Sequence, residues 1–147
     1  MENFAFEIAE TARLIRRAFN RRAVSLGATR AQWRVLARLS RSGDGVRQVD
    51  LAEALDVEPI TLCRMIDRLE EAGLVERRKD EEDRRAWRIH LTEKSRPVID
   101  ELHALGDLFH QDIVAGISEA DQKAALDILE RVRSNINAAE ADMKQAS

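Results

Sequence analysis

The chain contains 147 residues, of which 24 are Lys or Arg and 27 are Asp or Glu, and its formal net charge is −3. This length favours a single domain with enough side chains for a hydrophobic core. The chain has no apolar run of about 18 residues that could span a membrane and no basic start followed by the apolar run of a secretory signal. Its single cysteine excludes an intrachain disulfide and a cysteine-based metal cage. We therefore expect a cytoplasmic protein.

Charge is distributed unevenly along the chain. Residues 1–41 hold nine Lys/Arg and three Asp/Glu, residues 42–96 hold eleven and fourteen, and residues 97–147 hold four and ten. The acidic total argues weakly against a nucleic-acid partner, so the placement of the basic residues matters more than their sum. Either the basic and acidic ends meet, or the acidic end faces away from an anionic ligand.

A first amphipathic helix is predicted from residue 4 to about residue 26, and Gly27 is expected to end it. Its apolar residues recur at helical spacing: Phe4, Ile8, Ala12, Ile15 and Phe19. The rest of its surface is rich in arginine: Arg13, Arg16, Arg17, Arg21 and Arg22. These arginines form either a solvated face or a set that pairs with the acidic C-terminal helices or with phosphates.

A second helix, from about Arg30 to Arg41, is predicted to be largely buried. Thr29 and Gln32 have the spacing of a capping box at its start. The apolar residues of this helix fall on two neighbouring faces: Trp33, Val35, Leu36, Ala37 and Leu39. A glycine-rich turn follows, and Val46-Arg47 could add a short strand to a later sheet.

Two short helices come next and form a helix-turn-helix pattern. The first, roughly Gln48 to Asp56, is expected to turn Val49, Leu51, Ala52 and Leu55 towards a core. The second begins at Pro59, which suits the first helical position, and ends near Ala72 because Gly73 supplies a stop. Its apolar stripe is Leu62, Met65, Ile66 and Leu69, and its opposite face carries Ile60, Arg64, Asp67 and Glu71.

A β-hairpin is predicted directly after these helices. Residues 74–78 and 87–91 are strand-like, with Trp87, Ile89 and Leu91 alternating onto one face. The loop between them, residues 79–86, is highly charged. A helix-turn-helix followed by such a hairpin is a winged helix, which is a DNA-binding architecture.

Two further helices are predicted at the C-terminal end. The first starts late, around Ser95, or bends at Pro97, and it continues to about Gly116. The second starts after Ser118, carries an apolar stripe as far as Ile136 and then fades into a polar tail. The fold class is therefore mainly α with a small β-hairpin wing, in the order α-α-(β)-α-α-β-β-α-α.

The terminal helices have apolar stripes but no sheet to cover. Packing them against the same helices of a second copy would bury those stripes in a two-fold dimer. The chain is accordingly interpreted as one unit, residues 1–147, with dimerisation helices at 1–28 and 95–147 and a winged-helix region at 29–94.

The helix and hairpin also match a family pattern. The run from Leu62 to Arg78 reads L-x-R-x-x-D-x-L-E-x-x-G-L-V-x-R-R, and Asp83 and Arg85 form D-x-R before a strand that ends in Leu-Thr. This combination resembles the MarR family of transcriptional regulators, and the flanking helices fit that family too. The resemblance implies a triangular homodimer with interlocked terminal helices and two winged-helix lobes.

We expect the helix from Pro59 to Ala72 to enter the major groove with its N-terminal end first. Thr61 and Arg64 are best placed to reach bases, since arginine binds guanine with two hydrogen bonds, and Arg68 is expected to meet a phosphate. Gln48 opens a helix whose N–H groups can hold another phosphate. Cys63 stands where the family pattern often has Thr or Ser, which puts one expected DNA contact in doubt.

The wing, residues 79–86, is long enough for Arg84 or Arg85 to enter the adjacent minor groove, where a narrow A·T tract concentrates negative potential. The resemblance favours Arg85, with Asp83 orienting it. Two copies would read an inverted repeat with half-sites roughly 34 Å apart. The predicted DNA-binding residues are Gln48, Pro59, Thr61, Cys63, Arg64, Arg68, Asp83, Arg84 and Arg85.

Three acidic residues lie near the predicted DNA-facing side: Asp67, Glu70 and Glu71. They would repel phosphate unless they pair with Arg64, Arg68 or Lys79. Cys63 is either a small packed residue or an oxidation sensor, although a single thiol without a resolving partner supports the second reading weakly.

The resemblance also implies a crevice for a small aromatic or phenolic acid between the winged lobe and the dimerisation helices. Arg13, Phe19, Trp33 and His110 are the residues expected to line it, against the alternative that each is an ordinary core or surface residue. Ligand binding there would change the spacing of the two recognition helices and release the regulator from DNA. The regulator is interpreted as a repressor.

Two alternative functions, a protein-interaction module and an enzyme, would each show different sequence features. A winged helix that serves only as a protein-interaction module would lack basic residues on the helix and wing, whereas Arg64, Arg84 and Arg85 are present. An enzyme would need a nucleophile elbow, a phosphate-cradling loop or paired catalytic carboxylates with a histidine. None of these patterns occurs, and the three histidines form no ligand motif, so no catalytic residue, metal or cofactor is expected.

Overall fold

The computed structural model describes residues 3–26 and 29–147, apart from the side chain of Arg30. Gly27, the expected end of the first helix, lies outside the described residues. The chain divides into two compact units, Met1–Leu108 and Phe109–Ser147, and the boundary between them falls within a helix. In the described residues, no helix combines the length and apolar character needed to cross a membrane.

The elements follow the predicted order of helices and strands. They are α1 (Phe4–Ala23) with a 3₁₀ turn (Val24–Leu26), α2 (Arg30–Ser42), β1 (Val46–Arg47), α3 (Gln48–Leu55), α4 (Pro59–Glu71), β2 (Val75–Lys79), β3 (Trp87–Leu91), α5 (Ser95–Ile113) and α6 (Glu119–Ala146). The fold class is therefore confirmed as mostly helical with a small sheet. The polar tail expected after Ile136 is helical instead: α6 continues to Ala146, because the residues after Ile136 include good helix formers such as Ala, Glu and Lys.

Helix ends are set by local hydrogen bonds. The Thr29 side chain accepts from the Gln32 amide while Gln32 accepts from the Thr29 amide, so the predicted capping box is present. At the end of α4 the Gly73 amide donates to Glu70 and the Leu74 amide donates to Leu69, with Gly73 at φ 78°. Because the Leu74 amide takes part in this helix end, the following strand begins at Val75, one residue later than predicted.

The hydrophobic core of the first unit is built from the stripes of α2, α3 and α4 together with the sheet. Its fully buried side chains include Leu36, Leu39, Leu51, Leu62, Ile66, Leu69 and Ile89. Val49, which the sequence placed in this core, is instead 62% exposed. Residues two apart on a helix lie about 200° apart, so Val49 and Leu51 cannot both face inwards.

The sheet is antiparallel with the strand order β1-β3-β2, so the short strand Val46–Arg47 joins the hairpin as predicted. Val46 pairs with Ile89, and Val75 pairs with Leu91. Trp87 begins β3 opposite Lys79 and is 40% exposed, because this end of the hairpin projects away from the core. The sheet thus supports the loop of residues 80–86 at its free end.

The terminal helices keep large apolar side chains exposed. In α1 these are Phe4, Phe6, Leu14 and Ile15, and in α6 they are Leu126, Ile128, Ile136 and Met143. Single apolar residues on a surface need no explanation, but repeated ones along a helix mark a surface suited to a partner.

Candidate nucleic-acid interface

The orientation of α4 is determined by its buried stripe. Leu62, Ile66 and Leu69 are fully buried, so the opposite face of the helix is turned to solvent. That face carries Ile60, Arg64, Asp67 and Glu71, with Thr61 and Arg68 along its edge, and all six residues are exposed. Pro59 opens the helix at its first turn. These six residues form what we call the outer face of α4.

Arg77 of β2 joins α4 to the sheet. Its side chain is only 12% exposed, and its guanidinium lies 2.7 Å from Asp67 Oδ1 and 3.2 Å from Glu70 Oε1. Its backbone amide also donates to Glu70 Oε2 at 2.9 Å. The planar guanidinium has five donors, and this allows one side chain to serve several acceptors on a neighbouring helix.

The same guanidinium also reaches the start of the helix-turn-helix. Arg77 Nε donates to Gln48 Oε1 at 3.1 Å, and Nη2 donates to the Cys63 carbonyl at 3.0 Å. The Cys63 sulfur lies 3.7 Å from that Nη2, and Cys63 is half-buried. Gln48 and Cys63, both predicted to contact DNA, therefore lie on the flank of α4 beside Arg77, and not on the outer face.

This network corrects the expected pairing of the acidic residues. Asp67 and Glu70 of α4 pair with Arg77 of β2, and not with Arg64, Arg68 or Lys79. Within residues 3–26 and 29–147, Arg64 and Arg68 take part in no ion pair. Among the described residues, the outer face of α4 is consequently left with two arginines and the Glu71 carboxylate outside any ion pair, while the carboxylates of Asp67 and Glu70 are engaged by Arg77.

The wing is organised around one buried carboxylate, Asp80, which is 3% exposed. Its Oδ2 lies 2.9 Å from Arg47 Nε and 3.0 Å from Arg88 Nε, two residues that face each other across β1 and β3. Its Oδ1 accepts from the Glu82 amide at 2.9 Å, and its own amide donates to the Ala86 carbonyl. Asp80 therefore closes the loop and ties it to the sheet.

The tip of the wing presents two exposed arginines, Arg84 and Arg85. Asp83 Oδ1 accepts from the Arg85 amide at 3.0 Å, and the Asp83 carbonyl accepts from the Ala86 amide. The Asp83 side chain thus shapes the backbone that carries Arg85.

The hydrogen bond from the Glu82 amide, aided by Arg47 and Arg88, holds the pKa of Asp80 below its ordinary value of 3.8 in spite of burial. A carboxylate with a depressed folded-state pKa stabilises the fold fully above its ordinary pKa and loses that effect as the pH falls through the folded value. We therefore expect hydrogen-exchange protection of the Glu82 amide to be retained down to about pH 3.8 and to be lost below it. In Asp80→Asn, whose side-chain oxygen still accepts but cannot be protonated in this range, protection should not change with pH; the same loss of protection at low pH in both proteins would contradict this role.

Sequence reasoning missed three of the residues that position this surface: Arg47, Arg77 and Asp80. A usable signal existed for Asp80, because an aspartate that follows a strand and precedes a loop often accepts hydrogen bonds from the next backbone amides. No comparable local signal marks Arg77, whose partners are 7 to 29 residues away in the chain.

Among the four residues expected to bind a small aromatic acid, the structure brings two together. The rings of Phe19 and Trp33 meet edge to face with centroids 4.7 Å apart, and Trp33 Nε1 donates to Asn20 Oδ1 at 2.7 Å. Arg13 is exposed and pairs with Glu10, beside an open space of about 340 Å³ that other α1 arginines also line. His110 is exposed and belongs to the second unit.

The chain is similar to proteins of known family and structure. A sequence model of the MarR family matches residues 28–87. The solved structure of the transcriptional regulator PA3341 is 37% identical, with 92% of this chain and 99% of that chain covered and a TM-score of 0.85. A MarR family regulator from Silicibacter pomeroyi is 30% identical, with 92% and 91% covered and a TM-score of 0.79.

A MarR family regulator from Listeria monocytogenes, solved in complex with 26mer DNA, is 23% identical, with 92% of this chain and 90% of that chain covered and a TM-score of 0.80. At this identity the similarity concerns the fold. The extent of the matches at 30% and 37% identity covers the winged helix and both terminal regions together. The chain therefore belongs to the MarR family of transcriptional regulators.

Proposed function

We propose that this transcriptional regulator is a homodimer that binds an inverted repeat in double-stranded DNA, with α4 in the major groove and the wing in the minor groove. The observation that carries the proposal is the outer face of α4. Arg64 and Arg68 lie there with no ion-pair partner in the described part of the chain, while the nearby carboxylates of Asp67 and Glu70 are neutralised by Arg77. Glu71 is the one carboxylate of this face for which the described residues provide no ion pair, and the two arginines outnumber it, so the face keeps a net positive charge that attracts phosphate.

Different residues of α4 would contact the bases and the phosphates. Thr61 and Arg64 lie in the N-terminal half of the helix, the part that reaches base edges when a recognition helix enters the major groove. Arg68 lies one turn further along and would contact a phosphate, which fixes the register without reading sequence. Gln48 and Cys63, held against Arg77, would support the helix and lie close to the sugar-phosphate backbone.

The wing would add a second contact with the duplex. Its loop is tied to the sheet through Asp80, and its two exposed arginines would reach the adjacent minor groove. The hydrogen bond from the Arg85 amide to Asp83 supports Arg85 as the inserted side chain.

We infer that the exposed apolar side chains of α1 and α6 pair two copies of the chain, because their burial against the same helices of a second copy would remove them from water. A two-fold dimer would present its recognition helices to half-sites about one helical turn apart. In the absence of a ligand, such a dimer on a promoter would act as a repressor.

We further propose that a small aromatic or phenolic acid binds the protein and weakens its affinity for DNA. The half-buried Phe19–Trp33 pair and the arginines of α1 offer the aromatic and cationic groups that such a ligand would contact. The direct test titrates benzoic and hydroxybenzoic acids into a complex of the protein with its DNA site. Release of the duplex at ligand concentrations that leave the fold intact would support the proposal, and unchanged binding would contradict it.

The proposed DNA activity is tested by selecting bound duplexes from a random pool with the purified full-length protein. Enrichment of an inverted repeat supports the proposal. A winged helix that only contacts proteins would enrich no sequence and would bind duplexes with no preference at low ionic strength.

Substitution Arg85→Ala is expected to weaken binding to the selected duplex by about 1–3 kcal/mol, because the minor groove would lose its inserted cation. The measurement is a gel-shift titration at fixed salt. Arg131→Ala, which removes an exposed arginine of α6, is the control and should leave affinity unchanged. Equal affinities for Arg85→Ala and the parent protein would refute this role of the wing.

A further inference from the structure

Ile60 is a large aliphatic side chain on an otherwise polar surface. It is 65% exposed, it follows Pro59 at the start of α4, and it precedes Arg64 by one helical turn. The core stripe of the same helix, Leu62, Ile66 and Leu69, is fully buried. Ile60 therefore contributes little to the packing of the fold.

The surroundings of Ile60 indicate what it contacts. Thr61, Arg64 and Arg68 share the outer face with it, and the two arginines make no ion pair with the described residues. This positive charge favours a duplex over an apolar pocket on a partner protein, which would leave the arginines desolvated and unpaired. An aliphatic side chain can form neither a hydrogen bond nor an ion pair with a phosphate, so its partner in a duplex must be an apolar group.

The major groove presents one such group, the 5-methyl of thymine. Positions i and i+4 of a helix are separated by about 6 Å along its axis, which corresponds to roughly two base-pair steps of 3.4 Å. We propose that Ile60 is a specificity-determining residue that packs on the methyl group of a thymine about two base pairs from the guanine bound by Arg64. This inference rests on the proposed DNA-binding function.

The test uses the duplex that the full-length protein selects from a random pool. Each thymine is replaced in turn by deoxyuridine, which removes only the 5-methyl group. For the parent protein we expect one thymine per half-site at which this replacement weakens binding about fourfold, the effect of leaving one methyl-sized group unburied. Replacement in both half-sites should weaken binding about fifteenfold.

Two variants assign the methyl contact to a residue. Ile60→Ala should bind the thymine duplex more weakly than the parent protein does, and it should no longer distinguish thymine from deoxyuridine at that position. Thr61→Ser tests the competing assignment, in which the neighbouring Thr61 methyl group makes the contact, because it removes that methyl group and keeps the hydroxyl. It should retain the full fourfold difference.

Several outcomes would overturn the inference. These are equal binding of thymine and deoxyuridine at every position, a methyl preference that persists in Ile60→Ala, or one that disappears in Thr61→Ser. Unchanged duplex affinity of Ile60→Ala would likewise overturn it and would point to a protein partner for this residue. If the pool yields no enriched duplex, the proposed function fails and the inference falls with it, whereas an enriched duplex without methyl sensitivity removes the inference alone.

Discussion

The double substitution Ile128→Glu with Ile136→Glu is expected to convert the protein to a monomer and to weaken binding to an inverted-repeat duplex by roughly 100-fold or more. The two isoleucines are 47% and 55% exposed in α6, and their spacing of eight residues puts them on neighbouring parts of one helix face. Glutamates there would have to be desolvated to form the proposed dimer. A monomer would bind each half-site independently and would lose the advantage of simultaneous contact.

Light scattering after gel filtration measures the mass, and gel-shift titration with the complete repeat and with one half-site measures affinity. Ser134→Glu with Ala141→Glu is the matched control, since it adds two negative charges to the opposite face of the same helix. This control should remain dimeric with parent affinity. A dimeric Ile128→Glu/Ile136→Glu protein, or a monomer with full affinity for the repeat, would contradict the role proposed for α6.

The second large effect is expected from Arg77→Met, which should lower the free energy of unfolding by about 1–2 kcal/mol and the affinity for DNA roughly tenfold. The variant deprives Asp67, Glu70 and Gln48 of the guanidinium that they share. Because Asp67 and Glu70 are 58% and 43% exposed at their side chains, water compensates for part of the loss in stability. In the complex with DNA, however, the two unpaired carboxylates would repel nearby phosphates and lower the affinity.

Urea unfolding measures the stability of the Arg77 variant, and gel-shift titration measures its affinity for the duplex. Arg77→Lys keeps the charge but loses the planar set of donors, so we expect intermediate values for both quantities. Arg78→Met is the neighbouring control, since Arg78 is exposed and pairs with Glu76 of its own strand. Arg77→Met with parent values of both quantities would show that Arg77 does not hold the recognition helix.

The order and extent of the elements could be derived almost entirely from local pattern. Apolar residues at helical spacing predicted each helix, Pro59 and Gly73 marked the ends of α4, and Thr29 with Gln32 predicted a capping box that the structure contains. The outward position of Arg64 and Arg68 followed from the same periodicity. Such features depend on residues within about four positions of each other, so the sequence is sufficient to locate them.

Local pattern was less reliable where an element is short or where several partners are possible. Val49 and Leu51 were both assigned to the core, although residues two apart on a helix face nearly opposite ways, and the packing of Leu51, Ala52 and Leu55 decided which side of α3 is buried. Asp67 follows Arg64 by three residues, which is a pairing distance on a helix, but its carboxylate pairs with Arg77 instead. Helical spacing limits which residues can meet, but it does not decide among competing partners on other elements.

The sequence alone thus determined the winged-helix architecture, the family and the helix face that carries the arginines. The tertiary structure decided how that face is supported, through Arg77 beneath α4 and through Asp80 between Arg47 and Arg88 in the wing. The physical reason is distance along the chain. These contacts join residues that are far apart in sequence, and a charged group takes whichever opposite charges the packed helices and strands bring within hydrogen-bond distance.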